Sequence, residues 1–223
     1  MCGRYNIVTD ADALVDAFDI IVNEFTQSQL AIARYNIPPT STVPIVRLHD
    51  GQRTLSPAHW GLLPHWARDK KLAFKTFNAR AETITEKASF RVPIKNSRCI
   101  APASGWFEWK TEGGVKQPYY FSTKDLIPFA GVSAWHPGLE LLSCSIITTS
   151  ANPVASEIHH RMPVVLEPDS VDEWLSPATD MRAVLSLLKP YEGGDLSITR
   201  VSTKVNNTRY NDPDCIKAED RPH

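Results

Sequence analysis

Cys2, followed directly by Gly3 and Arg4, is the residue whose place in the chain does most for its chemistry. An initiator Met before so small a side chain is normally removed, and its loss would leave Cys2 with a free α-amine beside its own thiol. The amine has an ordinary pKa of about 7.7–8.0 and the thiol about 8.5, so both are partly deprotonated near neutral pH. Such a 1,2-aminothiol condenses with an aldehyde: the amine forms a Schiff base, and the thiol closes onto the imine carbon to give a thiazolidine ring. Gly3 lets the backbone approach a bulky substrate, and Arg4 adds a permanent cation. Many chains begin in this way with an end that is ordinary solvated polymer, so the remaining residues must decide.

Glu108 is the first of them. In the strand-like run Trp106-Phe107-Glu108-Trp109-Lys110, period-two geometry puts Trp106, Glu108 and Lys110 on one face and Phe107 and Trp109 on the other. Phe107 and Trp109 suit a core, so Glu108 points away from it. A carboxyl flanked by aromatic rings is partly desolvated, which raises its pKa and suits a general acid or base. A plain pairing with Lys110 or a neighbouring strand is the alternative. His159 and His160 stand where a short helix gives way to a Pro-terminated loop. Their side chains are expected to diverge, so that only one faces a given site. With no H-E-x-x-H and no cysteine cluster, no metal is expected. Asn78-Ala79-Arg80 follows a basic stretch and precedes a predicted helix, where an amide and a guanidinium can reach a phosphate or sugar. An N-cap with a solvated Arg reads equally well. No G-x-x-x-x-G-K-[ST] or G-x-G-x-x-G occurs, so no nucleotide cofactor is expected.

The elements that must position these residues are legible in outline. Thr9-Asp10-Ala11-Asp12 reads as a cap and acidic first turn, predicting a helix over Thr9–Ile20. Tyr35–Thr40 is extended by its two prolines. Val43–Leu48 and Thr54–Trp60 form a hairpin about Asp50-Gly51. A long surface loop then carries Trp60, His65 and Trp66 as exposed aromatics among cations. Glu82–Ser89 is helix-compatible. Strands are predicted from Arg98, with the clearest hairpin joining Gly105–Lys110 to Gln117–Ser122, followed by Pro128–Trp135, Leu139–Thr149 and Val164–Leu166. Helices over Pro168–Leu175 and Asp180–Leu188 and a strand over Ser197–Ser202 complete the chain. This pattern predicts an α+β fold, one domain over 1–223, with a curled, mainly antiparallel, barrel-like sheet flanked by helices and a flexible extreme C-terminus.

Composition bounds the classes. At 223 residues, 42% hydrophobic and 22% charged, the chain can bury a core without staples. Cys2, Cys99, Cys144 and Cys215 form no C-x-x-C pair, and neither a signal peptide nor a membrane-length apolar run is present. A soluble, monomeric protein of a reducing, cytoplasmic compartment is expected. The net charge of −1 hides an asymmetry: nine Lys/Arg against three acids from His65 to Arg98, and seven against eleven from Glu167 to His223. A basic middle with an acidic tail fits an anion held on one face, though a solvated charged surface would look the same.

Taken together, the chain resembles the SRAP family, the SOS-response-associated peptidases understood as abasic-site processing proteins. The resemblance rests on the order of Met1-Cys2-Gly3-Arg4, Tyr35-Asn36-Ile37-Pro38-Pro39, Trp60-Gly61-Leu62 with Pro64 and Trp66, Asn78-Ala79-Arg80-Ala81-Glu82-Thr83, Gly105-Trp106-Phe107-Glu108-Trp109, His159-His160-Arg161-Met162-Pro163 and Val205-Asn206-Asn207. It implies that Cys2, freed of Met1, captures the ring-opened aldehyde of an abasic site in single-stranded DNA as a thiazolidine, shielding the lesion. By the same resemblance Asn78 positions the Cys2 amine and the sugar, and Glu108 moves protons. His159, the first position of His-x-Arg-x-Pro, opens the sugar and supports a weak lyase side reaction. Arg4, Arg80 and Arg161 match phosphate contacts. Asn36 and Thr148 fall in the binding region, and Pro39, Trp66 and Trp106 match surfaces on which DNA bends and stacks. The implied partner is single-stranded DNA with abasic sites, including single-strand/duplex junctions at replication forks; in a bacterium this places the protein at the nucleoid. No membrane partner, metal or cofactor is implied, and "peptidase" reflects loss of Met1. Two alternatives remain at this point: a non-covalent single-stranded DNA-binding module, and an N-terminal-nucleophile amidohydrolase, which also begins Met-Cys-Gly.

Overall fold

Turn chemistry builds the first layer of order. The computed structural model describes residues 2–26 and 33–219; Met1 and the chain end expected to be flexible lie outside the described residues. Its strands are β1 (Tyr5–Ile7), β2 (Val22–Asn23), β3 (Arg34–Ile37), β4 (Thr42–His49), β5 (Gln52–Trp60), β6 (Asn78–Arg80), β7 (Arg98–Ala103), β8 (Gly105–Glu112), β9 (Val115–Ser122), β10 (Ile127–His136), β11 (Leu141–Ser150), β12 (Arg161–Pro163) and β13 (Ser197–Arg200). Asp50-Gly51 (φ 50° and 77°) and Gly113-Gly114 (φ 54° and 83°) close the β4–β5 and β8–β9 hairpins. Positive φ at both central positions gives the turn a twist that matches the flanking strands.

Five strands close on themselves. β5 pairs with β4, β4 with β7, β7 with β10 and β10 with β11, all antiparallel, and β11 returns to β5 in parallel through Ser143↔His59 and Cys144↔Trp60. That parallel seam makes the barrel mixed. A second, antiparallel sheet in the order β13-β9-β8-β1-β3 leaves it where β7 runs into β8. The bend at Gly105 tolerates no side chain: a Cβ there would lie 2.4 Å from the Phe121 carbonyl oxygen and 2.5 Å from the Tyr120 ring. The fold is thus α+β, as the sequence indicates, with the barrel closed outright.

Each barrel strand is buried on both faces. Ile45, Cys99, Phe129 and Ile146 join a core cluster with Cys2, Tyr5, Trp60 and Trp106. Their neighbours Val46, Ile100, Ala130 and Ile147 join another, with Leu14, Ile94, Trp174 and Val184 from the short helices. Three of the short α-helices begin on side-chain caps: Asp10 accepts from Ala13 N, Asn152 from Ala155 N and Asp180 from Arg182 N. Such a cap typically contributes about 1 kcal/mol.

Several expectations are corrected. The first helix is Ala11–Ala17, shorter than predicted at both ends. Glu82–Ser89 is not a helix; a 3-10 turn over Ala81–Thr83 leads into isolated turns. The β-branched run Thr83-Ile84-Thr85 disfavours the helix, and the Glu82 carboxylate is drawn to Arg161. Trp60 is not exposed but fully buried, edge-on to Tyr5 and Phe77, with Nε1 donating to Phe77 O at 2.9 Å. Only Arg161–Pro163 continues as a strand beside β11; the predicted strand Val164–Leu166 reduces to a bridge from Val165 to Phe129.

Candidate active site and nucleic-acid interface

β1 carries the N-terminus into the middle of the second sheet, between β3 and β8. Tyr5 pairs with Trp106, and Phe107 N donates to Arg4 O at 2.9 Å. The chain upstream of Arg4 therefore runs antiparallel to β8 toward Glu108, and the Glu108 charge is close enough to act on the Cys2 thiol. From the other side β6 lies parallel to β11, with Asn78 opposite Ile146, and Asn78 Nδ2 donates to Cys2 O at 2.8 Å. Asn78 Oδ1 is buried without a hydrogen-bond partner. β12 flanks the same end of β11, bringing in His159, whose Nδ1 lies 3.9 Å from Glu108 Oε2. Cys2, Asn78, Glu108 and His159, spread over 158 positions, are thus linked in one cluster.

Its electrostatics follow from burial. Cys2 is fully buried, and burial, reinforced by the Glu108 charge, holds its thiol well above the usual range. Burial lifts Glu108 to about 7, so the carboxyl changes charge near neutral pH. Burial, helped by neighbouring positive charge including that of Arg161, lowers His159 to about 4. The imidazole is then neutral at pH 7, so its 3.9 Å approach to Glu108 is not an ion pair. Arg161 N donates to His159 Nδ1 at 3.0 Å, closer than the Arg161 carbonyl oxygen at 3.2 Å, and this obligate donor favours the neutral form with its proton on Nε2.

The expectation that His159 and His160 diverge is overturned. Their rings stack, centroids 4.5 Å apart and planes 25° from parallel, with His160 outermost. Among the described residues no three His, Cys, Asp or Glu side chains converge as a metal site, and no helix is long and apolar enough to cross a membrane. All four cysteines are buried free thiols.

The residues expected to meet DNA divide sharply. Arg80 is exposed, Trp66 is 49% exposed, and Pro39 is half-buried at the turn where Thr40 takes φ 70°. Trp66, Arg68, Lys71, Leu72 and Lys75 line a surface groove. Of the nine cations from Arg68 to Arg98, only Arg98 is buried. Trp106 is no stacking surface: it is fully buried, stacked on Phe121 at 4.9 Å and edge-on to Phe129. The C-terminal segment covers the opposite face of β8, burying Phe107 with Val205 and Cys215. Asn36 is likewise internal, its amide spent on Arg4 and three backbone carbonyls. Thr148 is fully buried under Arg161. Arg4 and Arg161 are buried too, Arg4 held by protein at Nη1 and Arg161 at both outer nitrogens, with each Nε unpartnered. Glu82 pairs with both outer nitrogens of Arg161, at 2.5 and 3.0 Å. That pairing was not legible in advance, since no spacing relates residues 79 positions apart.

Residues 1–208 match the model of the SOS response associated peptidase (SRAP) family. The chain belongs to the SRAP family. Abasic site processing protein YoaM of Bacillus subtilis (strain 168) is 39% identical over 227 residues, covering 98% of this chain and 99% of that protein. Abasic site processing protein HMCES of Gallus gallus is 34% identical over 220 residues, covering 82% of this chain and 65% of that protein. A crystal structure of a protein from Bacteroides thetaiotaomicron superposes with a TM-score of 0.86 at 29% identity, covering 98% of this chain and all of that one. The shared SRAP fold accounts for the closed barrel and its companion sheet.

Proposed function

We propose that this SRAP protein captures abasic sites in single-stranded DNA by forming a thiazolidine between the ring-opened sugar aldehyde and Cys2, after loss of Met1. The observation that carries the reading is the convergence of Cys2, Asn78, Glu108 and His159. In the first step the Cys2 amine adds to the aldehyde carbon, and the carbinolamine loses one water to give an imine. The thiol sulfur then bonds to the imine carbon while its proton passes to nitrogen, closing the ring. Held protonated by burial, the thiol needs a base at the moment of attack. A carboxyl poised near neutrality beside it, Glu108, takes that proton and returns it to the amine.

Asn78 serves positioning. Its Nδ2 fixes the Cys2 carbonyl, and its unpartnered Oδ1 is an acceptor for the amine that appears when Met1 leaves. His159 donates a hydrogen bond from Nε2 to the sugar ring oxygen; on opening, the anomeric hydroxyl proton passes through the Glu108 carboxylate to that oxygen, and from the Schiff base His159 supports a slow β-elimination. Arg80 on the surface, with the Trp66 groove, supplies the charge and aromatic face that single strands need. Loss of Met1 through the same cluster accounts for the word peptidase in the family's description. Denaturing electrophoresis with a single-stranded oligonucleotide carrying one abasic site tests the reading. A shifted band is expected without borohydride from the wild-type protein and not from Cys2→Ala; a band of equal strength from Cys2→Ala would refute it.

A further inference from the structure

The chain leaves the core after Pro64. Gly61, Leu62, Leu63 and Pro64 are buried, His65 and Trp66 are exposed, and Ala67 alone is half-buried before the exposed Arg68 and Asp69. The buried part is pinned at several points: Gly61 N donates to Cys144 O at 2.9 Å, Leu63 N to Ser143 Oγ at 2.9 Å and Thr76 Oγ1 to Leu62 O at 2.7 Å. The exposed part has one tie. Among the described residues, the Ala67 carbonyl is the only backbone group from His65 to Arg68 with a hydrogen bond beyond the loop, and its partner is His136 Nε2 at 2.9 Å.

His136 ends β10, opposite Leu141 at the start of β11, and is buried. A carbonyl oxygen only accepts, so Nε2 carries a proton. Nδ1 is buried without a hydrogen-bond partner. It lies beside the turn over Pro137–Leu139, where a Cβ on Gly138 would stand 3.5 Å from Cε1 and 3.8 Å from Nδ1. An imidazole buried with one nitrogen unmade costs more than an apolar side chain in the same space. The bond to Ala67 is the side-chain interaction that offsets this cost. Ala67 stands between Trp66 and Arg68, which both line the surface groove, so the bond fixes the backbone that carries them. β11 continues from this hairpin to Ile146, opposite Asn78; the groove and the capture cluster are thus mounted on one strand.

We infer that His136 is a positioning residue for the nucleic-acid surface: through the Ala67 carbonyl it holds Trp66 in one orientation, as a stacking face for a base of the single strand. It acts through Trp66 and touches no DNA itself. A loop held in place before the strand arrives loses less freedom on binding, and the difference appears as affinity. The single strand as occupant of the groove rests on the function proposed above.

The test uses the full chain and a single strand containing a tetrahydrofuran abasic analogue, which cannot form the covalent adduct. Affinity is measured for wild type, His136→Leu, His136→Gln, Trp66→Ala and the Trp66→Ala/His136→Leu double variant. Trp66→Ala should weaken binding about fivefold or more, the low end for one lost stacked base. His136→Leu fills the space without a donor and should weaken binding about threefold or more. The amide nitrogen of Gln can stand where the imidazole Nε2 stands, so His136→Gln should bind within about twofold of wild type. The double variant should bind no more weakly than Trp66→Ala. In the DNA-free protein, trypsin should cut after Arg68, Lys70 or Lys71 faster in His136→Leu than in wild type or His136→Gln. Wild-type affinity or wild-type cleavage in His136→Leu, a His136→Gln as weak as His136→Leu, or losses that multiply in the double variant would overturn the inference. If His136→Leu does not fold, His136→Asn takes its place: its amide is one methylene short of Ala67 O, and wild-type binding by it overturns the inference instead. Failure of the DNA reading looks different. Wild type would then not bind the strand at all, or Trp66→Ala would bind as tightly as wild type, and the positioning role would fall with it even where His136→Leu is cut faster.

Discussion

Glu108→Gln should stabilise the protein while destroying its chemistry. Folding moves the carboxyl from its ordinary 4.5 to about 7, through burial. Below pH 4.5 it is protonated in both folded and unfolded chains. Between 4.5 and 7 the folded state keeps a proton that the unfolded state has released, so stability falls as pH rises. Above 7 the deficit is constant, about 3 kcal/mol at about 1.4 kcal/mol per pH unit. His159 acts on the acid side: lowered to about 4, it makes the unfolded chain the better proton acceptor as pH drops through 6.5. Comparing wild type with Glu108→Gln isolates the carboxyl, because His159 is common to both. Urea unfolding from about pH 4 to about pH 8 should show the variant gaining on wild type by up to about 3 kcal/mol at the alkaline end. Parallel curves would refute a buried, neutral-leaning Glu108. Capture of an abasic strand by the variant should fall by roughly 10²–10⁴-fold, the range for losing a general acid or base.

Other expectations follow from single observations. Arg80→Ala, removing an exposed cation on β6, should weaken binding to all single-stranded sequences and flatten the salt slope by about 0.7 in fluorescence titrations; an unchanged slope removes Arg80 from the interface. Gly105→Ala forces a Cβ to 2.4 Å from the Phe121 carbonyl oxygen and should lower unfolding free energy by about 1–3 kcal/mol in urea. Arg98→Met strips donors from the carbonyls of Ile94, Lys95, Trp174 and Ser176. It should cost about 3 kcal/mol by the same assay, and a loss under about 0.5 kcal/mol would show those carbonyls satisfied by water.

Local signals carried much of the architecture. Asp50-Gly51 and Gly113-Gly114 demand φ > 0 and announce their hairpins, and the capping carboxylates and amides mark where helices begin. The order of family motifs carried Cys2, Asn78, Glu108 and His159, and strand alternation by itself aimed Glu108 away from Phe107. What stayed hidden depends on non-local packing. Nothing in β5 or β11 alone states that they pair in parallel and close the barrel. Trp60 read as a surface aromatic from its place at the start of a loop, and Trp106 as a DNA-stacking surface from the family resemblance, but both are fully buried. Asn36 looked available to a ligand, whereas its partners lie about 170 positions downstream. The stacking of His159 on His160 reflects a backbone turned by the Arg161 N–H to Nδ1 bond, which spacing along a regular element does not anticipate.

The most direct test of the account is the intact mass of the protein after incubation with an abasic single strand. Capture as proposed predicts a species equal to the chain without Met1 plus the oligonucleotide, less one water, stable without reduction and lost when the α-amine is acetylated. An adduct that retains Met1, or that survives both acetylation and Cys2→Ala, would contradict it.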